Sequence, residues 1–579
     1  MIKLSKSRLP IFGVIMATLL MVVQVVTTLS LPNLTSDMVN FGIAKNDNAY
    51  IWQTGVRMLL VTALSVVAAI GNVYFAAKIS QGLGQKLRHD IYGKVLGMSL
   101  DEFGQTGTAS LITRTTNDVN QIQNVMMMAM RMMIQAPIML VGAAFMAYQK
   151  EAKLTSVFLI SIPVLIIVIG GILFFATPLF KSLQKKTDNL NLIFREGLTG
   201  VRVIRAFRQD KFEQDRFDGA NEDYTSTAKK VFSLVAVMFP LMTLIMSGTN
   251  IGITWQGAHL IGSMDMQVGN LIAFITYAMQ ILMSFMMLSM VFFMVPRAQA
   301  SAARINEILD SENELTEATT TTKIADKTPS LDLDQIEFYY KGAEAPALSK
   351  VNANMKAGET LAIIGGTGSG KTTLVNLIPR FFDVTSGAVR VNGVDVREVS
   401  KNDLQDQIAL VPQKAVLFHG TIRENLLYGD KNATDAELWH ALDVAQASDF
   451  VKELDGQLDA TVEQGGDNFS GGQKQRLAIA RALVKKASIY IFDDSFSALD
   501  FKTDAALRQA LKDDAEINNK VVVIVGQRVS TVASADQILV LDEGKMVGIG
   551  THQELKQNNE TYKEIVASQI REGDQDGSK

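Results

Sequence analysis

The sequence predicts a membrane α-helical domain of six spanning helices with cytoplasmic extensions, followed by an α/β domain built on a phosphate-binding loop. Three observations predict it. Long charge-free runs crowd the first half, and two charged intervals of about 50 residues divide them. The second half alternates short apolar strands with helical stretches around a glycine-rich loop.

Composition sets the outer bounds. At 579 residues the chain is too long for one compact domain. It is 48% hydrophobic and 20% charged, with the apolar excess concentrated in the first half. Nucleic-acid binding needs a clustered basic surface, and a net charge of −4 gives no reason to expect that partner. The absence of cysteine excludes disulfides, thiolate metal sites and thiol catalysis.

A helix that crosses a bilayer needs about 20 mostly apolar residues. Six segments reach that length: 10–32, 56–77, 131–149, 154–178, 232–261 and 270–295. The first follows Lys3, Lys6 and Arg8 as a signal peptide would. Its apolar run exceeds the roughly 7–15 residues of a signal core, however, and it has no small-residue cleavage site, so it reads as a retained span. The third span starts on Arg131 and the fifth carries Pro240, which blurs their limits.

Charge orients the spans. The intervals 78–130 and 179–231 hold five and eleven Lys or Arg residues, whereas the three short connections hold only Lys45, Lys150 and Lys153. The positive-inside bias therefore puts the termini and both long intervals in the cytoplasm. Structureless loops of that length are uncommon, and 84–98 and 188–208 are rich in helix formers. The membrane helices are expected to continue into the cytoplasm and turn back at short transverse segments, with 104–112 and 196–207 as candidates. The membrane domain then spans residues 1–310, a polar Thr-rich linker 311–328, the α/β domain 329–570 and a charged tail 571–579.

The chemistry starts at a short apolar strand, Leu361 to Ile364. It leads into Gly365, Gly366, Thr367, Gly368, Ser369, Gly370, Lys371 and Thr372, then Thr373 and a helical stretch. This is the phosphate loop in its strand–loop–helix setting. Glycines let backbone N–H groups converge on phosphate oxygens, and the helix N-terminus adds positive dipole. Lys371 suits the β- and γ-phosphates and the Thr372 hydroxyl suits Mg²⁺. A second apolar strand ends in Asp493, an acidic residue placed to hold Mg²⁺, usually through water. Together these imply a nucleoside triphosphate with Mg²⁺.

Phe469, Ser470, Gly471, Gly472 and Gln473, followed by the basic stretch Lys474 to Arg476, narrow the reading. They resemble the signature of ABC-transporter ATPase domains, with Phe in the first place. The resemblance implies that Ser470–Gln473 close on the γ-phosphate held by another subunit's phosphate loop. It further implies that Tyr340 stacks on adenine, that Gln413 touches Mg²⁺ and faces the membrane domain, and that Asp500 lies in the loop linking two ATP sites. It covers all of 330–570, and the span pattern extends it to nearly the whole chain as an exporter.

Two positions depart from the family pattern. The residue after the Mg²⁺ aspartate is normally Glu, which polarises the attacking water, and here it is Asp494. The shorter side chain retracts the carboxylate by about 1.5 Å, a displacement that can cost about 10²-fold in rate. The switch position, normally His, is Gln527, which cannot carry charge or exchange a proton near neutral pH. Binding motifs are whole and activating residues are weakened, a combination similar to one chain of the bacterial heterodimeric multidrug ABC exporters of the lactococcal kind. The resemblance implies a non-identical partner half-transporter with a competent Glu/His site, to which this chain lends Ser470.

The sixth span carries Met279, Met283, Met286, Met287, Met290 and Met294 among Phe285, Phe292 and Phe293. Thioethers re-pack easily, as a pocket for varied small hydrophobic substrates would require, although helix packing or lipid contact explains the same pattern. Asn72, Arg131, Gln135, Asn250, Gln256 and Gln280 stand near membrane depth, where polar groups face a cavity or another helix. The expected function is ATP-driven export of hydrophobic or amphipathic compounds across the cytoplasmic membrane. A lipid flippase or peptide exporter shares this architecture. A non-translocating membrane ATPase would not need six spans.

Overall fold

The computed structural model describes residues 4, 8–311, 315, 322–324 and 328–576; the side chains of residues 173, 290, 292, 293 and those from 570 onward are outside this description. The chain divides into two compact units, Met1–Leu96 with Gly107–Ser311, and Gly97–Thr106 with Glu312–Lys579.

The first unit is all helix. Among the described residues six helices are long and apolar enough to cross a membrane: Ile11–Ile43, Asn48–Gly97, Thr108–Lys150, Leu154–Thr199, Asp210–Gly262 and Val268–Leu309. Each expected span falls on one of them, the first starting one residue ahead of its helix. The second helix, of 50 residues, is about 75 Å long at 1.5 Å per residue. That is more than twice the ~30 Å of hydrocarbon in a bilayer, so the long charged intervals are largely helical continuation. The returns are short. The helix Leu100–Thr106, which belongs to the second unit, ends at Gly107, whose φ of 75° breaks the run before Thr108; it begins four residues ahead of the expected turn at 104–112. The second return is Val201–Ala206, entered through Gly200.

The core of this unit joins the first, third and sixth spans through Met21, Val25, Ala143, Phe274, Tyr277 and Ile281. Polar residues within it tie spans together. Asn72 is buried and donates to the Ala17 carbonyl at 2.7 Å, linking the first two helices rather than facing a cavity. Tyr277 donates to the Leu29 carbonyl at 2.8 Å. At the opposite end Asp118 accepts from Ser301 at 2.8 Å and from the Arg304 Nε at 2.8 Å, joining the third helix to the sixth.

The second unit is an α/β domain whose ten-stranded sheet runs β5-β4-β1-β2-β12-β11-β3-β10-β9-β6. Its strands are β1 Ser330–Phe338, β2 Leu348–Lys356, β3 Thr360–Gly365, β4 Ser386–Val391, β5 Val394–Asp395, β6 Ile408–Val411, β9 Ile489–Asp493, β10 Val521–Val525, β11 Gln537–Asp542 and β12 Lys545–Gly550. A separate pair, β7 Gly420–Thr421 and β8 Thr461–Val462, is antiparallel. The strands β11, β3, β10, β9 and β6 are mutually parallel. They are almost continuously apolar, as strands covered on both faces must be. In such a sheet ligands gather beyond the carboxyl ends of the strands, which here places the loops after β3, β6, β9 and β10 side by side. The helix Glu560–Asp576 closes the domain and runs into the stretch expected as a charged tail. Most of the expected linker lies outside the described residues.

Candidate nucleotide site

The phosphate loop follows β3 and ends in the helix Lys371–Leu377. Gly370 takes φ 97°, and a Cβ there would stand 2.8 Å from Leu348 Cδ2 and 2.9 Å from the Ala347 carbonyl, so only glycine fits. A cavity of about 480 Å³ opens over the loop, lined by Tyr340, Gly368–Thr373, Pro346, Ala347, Glu543 and Gly544. Glu543 and Gly544 come from the turn between β11 and β12, which carries no motif. A Cβ on Gly544 (φ 79°) would stand 2.6 Å from the Ala347 carbonyl, which could have marked that turn.

Within the site the Lys371 ammonium donates to the carbonyls of Gly365 and Gly366 at 2.9 and 2.7 Å. Tyr340 hydrogen-bonds Thr373 at 2.9 Å through its hydroxyl, and its ring is set edge-on to Phe338 and Phe382. The Ser369 Oγ is buried without a hydrogen-bond partner among the described residues. An orphan hydroxyl in a loop of inward amides suits an oxygen-rich anion, and the residues fit a nucleoside triphosphate. For Mg²⁺ the chain offers the Thr372 hydroxyl, 3.4 Å from Asp493 Oδ1, a hard oxygen pair that phosphate oxygens and water would complete. That ion would supply charge neutralisation on the phosphates.

Asp494 follows β9 and sits at φ 47°, the left-handed region that Asp tolerates better than most residues. Its backbone N–H donates to the Val525 carbonyl of β10 at 3.1 Å. One carboxylate oxygen, Oδ2, accepts from both candidate glutamines, Gln527 at 2.9 Å and Gln413 at 3.3 Å. Gln413 follows β6 and Gln527 follows β10, so three strand ends meet at one oxygen. Burial pushes the Asp494 carboxyl above its usual range, while donation from Gln413 and Gln527 and the Lys371 charge oppose this. Burial likewise raises Asp493, against the Thr372 hydrogen bond. It lowers Lys371, against the two carboxylates.

The signature stands apart from this group. Ser470 caps the helix Gly471–Val484 in a capping box: its Oγ accepts from the Gln473 N–H at 3.3 Å, and Gln473 Oε1 accepts from the Ser470 N–H at 2.9 Å. Gly471 and Gly472 form the first turn. No hydrogen bond among the described residues joins Ser470–Gln473 to Asp494 or Lys371. Asp500 caps the next helix, Phe501–Asp513, by accepting from the Thr503 N–H and hydroxyl at 2.9 and 2.7 Å.

In the membrane unit a cavity of about 710 Å³ lies between the fourth and fifth spans. Ile160, Val164, Ile245 and Trp255 make it apolar, and Ser161, Gln256 and His259 add polar groups. Gln256 is tied to the outer connection, donating to the Lys153 carbonyl at 3.1 Å. Met279 and Met283 are exposed on the sixth span, and Met286, Met287 and Met294 are half-buried. The side chains of Met290, Phe292 and Phe293 lie outside the described residues. Asn250 donates to the Met279 sulfur at 3.7 Å. Gln280 keeps its buried carbonyl oxygen without a partner among the described residues.

A membrane domain of six long helices joined to a sheet with a phosphate loop at its strand ends defines an ATP-driven membrane transporter. Residues 14–285 match the family model of the ABC transporter transmembrane region, and residues 348–497 that of the ABC transporter. An uncharacterised ABC transporter ATP-binding protein of Mycobacterium tuberculosis (strain CDC 1551 / Oshkosh) is 42% identical over 96% of each chain. An ATP-dependent lipid A-core flippase of Desulfotalea psychrophila (strain LSv54 / DSM 12343) is 33% identical over 86% of this chain and 88% of that one. The solved structure of a bacterial Atm1-family ABC exporter with ATP bound shares the fold, with a TM-score of 0.80 at 24% identity over 96% of this chain and 98% of that chain. The chain belongs to the ABC transporter family, in the exporter arrangement of a membrane domain fused ahead of its ATPase domain. It is a multi-pass membrane protein that couples ATP hydrolysis to transport, with the ATPase domain on the cytoplasmic side.

Proposed function

We propose that this chain is one half of a heterodimeric exporter of hydrophobic or amphipathic compounds. In this reading its own phosphate loop retains ATP and turns it over slowly, while Ser470–Gln473 complete the faster site of a non-identical partner carrying Glu and His. The observation behind it is the pairing of Asp494 with Gln527 at 2.9 Å. Hydrolysis needs a group that orients a water and takes its proton. Asp494 is one methylene short of the family's Glu, and its Oδ2 is already engaged by two amides, which hold it back from the place where it would orient a water. Gln527 holds that oxygen but cannot pass a proton on. Tyr340, Lys371, Thr372 and Asp493 would meanwhile hold Mg-ATP.

The substrate class rests on the apolar cavity between the fourth and fifth spans and on the exposed thioethers of Met279 and Met283. A second reading is a lipid flippase, favoured by the relative named as a lipid A-core flippase. Purification of the chain alone and with candidate partner half-transporters tests the first reading. Slow ATP turnover alone, with drug-stimulated turnover only in the mixed dimer, is the expected result. Fast turnover by this chain alone would overturn it, and drug-insensitive turnover stimulated by lipid would select the flippase.

A further inference from the structure

We infer that Gln569, on the carboxyl-terminal helix, is a positioning residue for the ATP site: its carboxamide clamps the backbone on both sides of Arg528 and so sets where Gln527 meets Asp494. The helix Glu560–Asp576 is fixed to the sheet by Tyr562 and Val566, which are buried against Ile364, Val532, Ile538 and Val540. Gln569 follows them at i+7 and i+3, on the same face of the helix. From there its Nε2 donates to the Gln527 carbonyl at 2.7 Å, and its Oε1 accepts from the Val529 N–H at 2.7 Å.

The second bond answers a local need. The short helix Val529–Val532 starts at Arg528, whose side chain provides no cap. The Val529 N–H is therefore one of the orphan donors that every helix start leaves. A residue 40 positions away satisfies it. The first bond grips the carbonyl of the residue whose side chain donates to Asp494 Oδ2. The path from the carboxyl-terminal helix to the hydrolytic carboxylate is thus two hydrogen bonds joined by one residue. Nothing in the sequence motifs of the site assigns a role to Gln569.

The inference rests on Asp494 and Gln527 being the residues that act on the attacking water. The test uses the full chain in lipid nanodiscs with Gln569→Met, which keeps length and packing but loses both bonds, and Gln569→Glu, which keeps the acceptor only. Hydrogen exchange at the Val529 amide should accelerate about tenfold or more in Q569M and stay near wild type in Q569E. Single-turnover cleavage of ATP should fall about tenfold in both variants, with ATP affinity within about twofold of wild type. Unchanged exchange in Q569M overturns the clamp. Faster exchange with unchanged or faster cleavage overturns its link to the chemistry. Cleavage, affinity and melting temperature falling together would reduce Gln569 to a structural contact. Failure of the heterodimer reading shows instead as a high wild-type rate, which leaves the ratios to the variants readable.

Discussion

Restoring the family residues at both weakened positions, Asp494→Glu with Gln527→His, should turn this chain into an active ATPase by itself. In the proposed reading its signature is competent, so a homodimer of the double variant would hold two complete composite sites. The expected gain is set by reach. One methylene moves the carboxylate about 1.5 Å, and a misplacement of that order costs about 10²-fold, or about 2.7 kcal/mol of barrier. The gain has a structural cost. Asp494 sits at φ 47°, where the left-handed conformation penalises most residues by about 1–2 kcal/mol and Asp by less. D494E should therefore lose about 1 kcal/mol of stability in the ATPase domain. Steady-state Mg-ATP turnover in lipid, measured beside the domain's melting temperature, reads both effects. A double variant no faster than wild type, or a wild type already as fast, would refute the reasoning.

Three further outcomes follow from the geometry. Ser470→Ala removes the cap of the helix Gly471–Val484, costing about 1 kcal/mol of stability, and in the proposed heterodimer, where Ser470 faces the partner's phosphate, should reduce turnover by about 10²-fold; mixed-dimer ATPase activity normalised to folded protein checks it. Asp494→Asn carries a pH signature. The Asp494 carboxyl is raised above its ordinary 3.8 by burial, so its favourable contribution to folding is present below the unfolded value and lost as pH rises through the folded one. The Asn variant should melt above wild type near neutral pH, with the gap closing as pH falls toward about 4, and an equal gap throughout would exclude the burial effect. In the membrane unit, Gly269→Ala would put a Cβ 2.4 Å from the Ser36 carbonyl and 2.6 Å from Asn40 Oδ1. That overpacking should cost about 1–3 kcal/mol and lower the melting temperature in lipid.

The phosphate loop was legible because its chemistry is local: consecutive residues make the strand, the turn and the helix start. The six spans were legible because apolar length is a one-dimensional signal. The convergence of Gln413 and Gln527 on a single oxygen of Asp494 was not, because it depends on the strand order β6-β9-β10, which no run of residues encodes. Gln569 was invisible for the same reason, 42 positions from the carbonyl it holds. Asn72 was open to a cavity or another helix, and it binds a backbone carbonyl of the neighbouring helix. A polar side chain in a span reports only that it needs a partner, and a helix supplies carbonyls as readily as a cavity supplies substrate. The first cytoplasmic return begins ahead of the expected 104–112 because the short helix Leu100–Thr106 runs through Gly104, and only Gly107 takes the positive φ that ends it.

Asp494 and Gln527 are better treated as one structural feature than as two losses. A Glu at position 494 with Gln527 unchanged would extend its carboxylate toward a carboxamide that now donates at 2.9 Å. A His at 527 with Asp494 unchanged would face a carboxylate held back by its shorter side chain. Each single reversion therefore leaves the other residue mismatched, while the Gln527 amide satisfies the short carboxylate and the left-handed backbone favours it. Contacting residues in one hydrogen-bond network couple by about 0.5–3 kcal/mol. The joint reversion should thus exceed the product of the single ones by about 2-fold to about 160-fold in rate. Strictly multiplicative single effects would mean that the two positions act independently, and that their hydrogen bond is incidental to the rate.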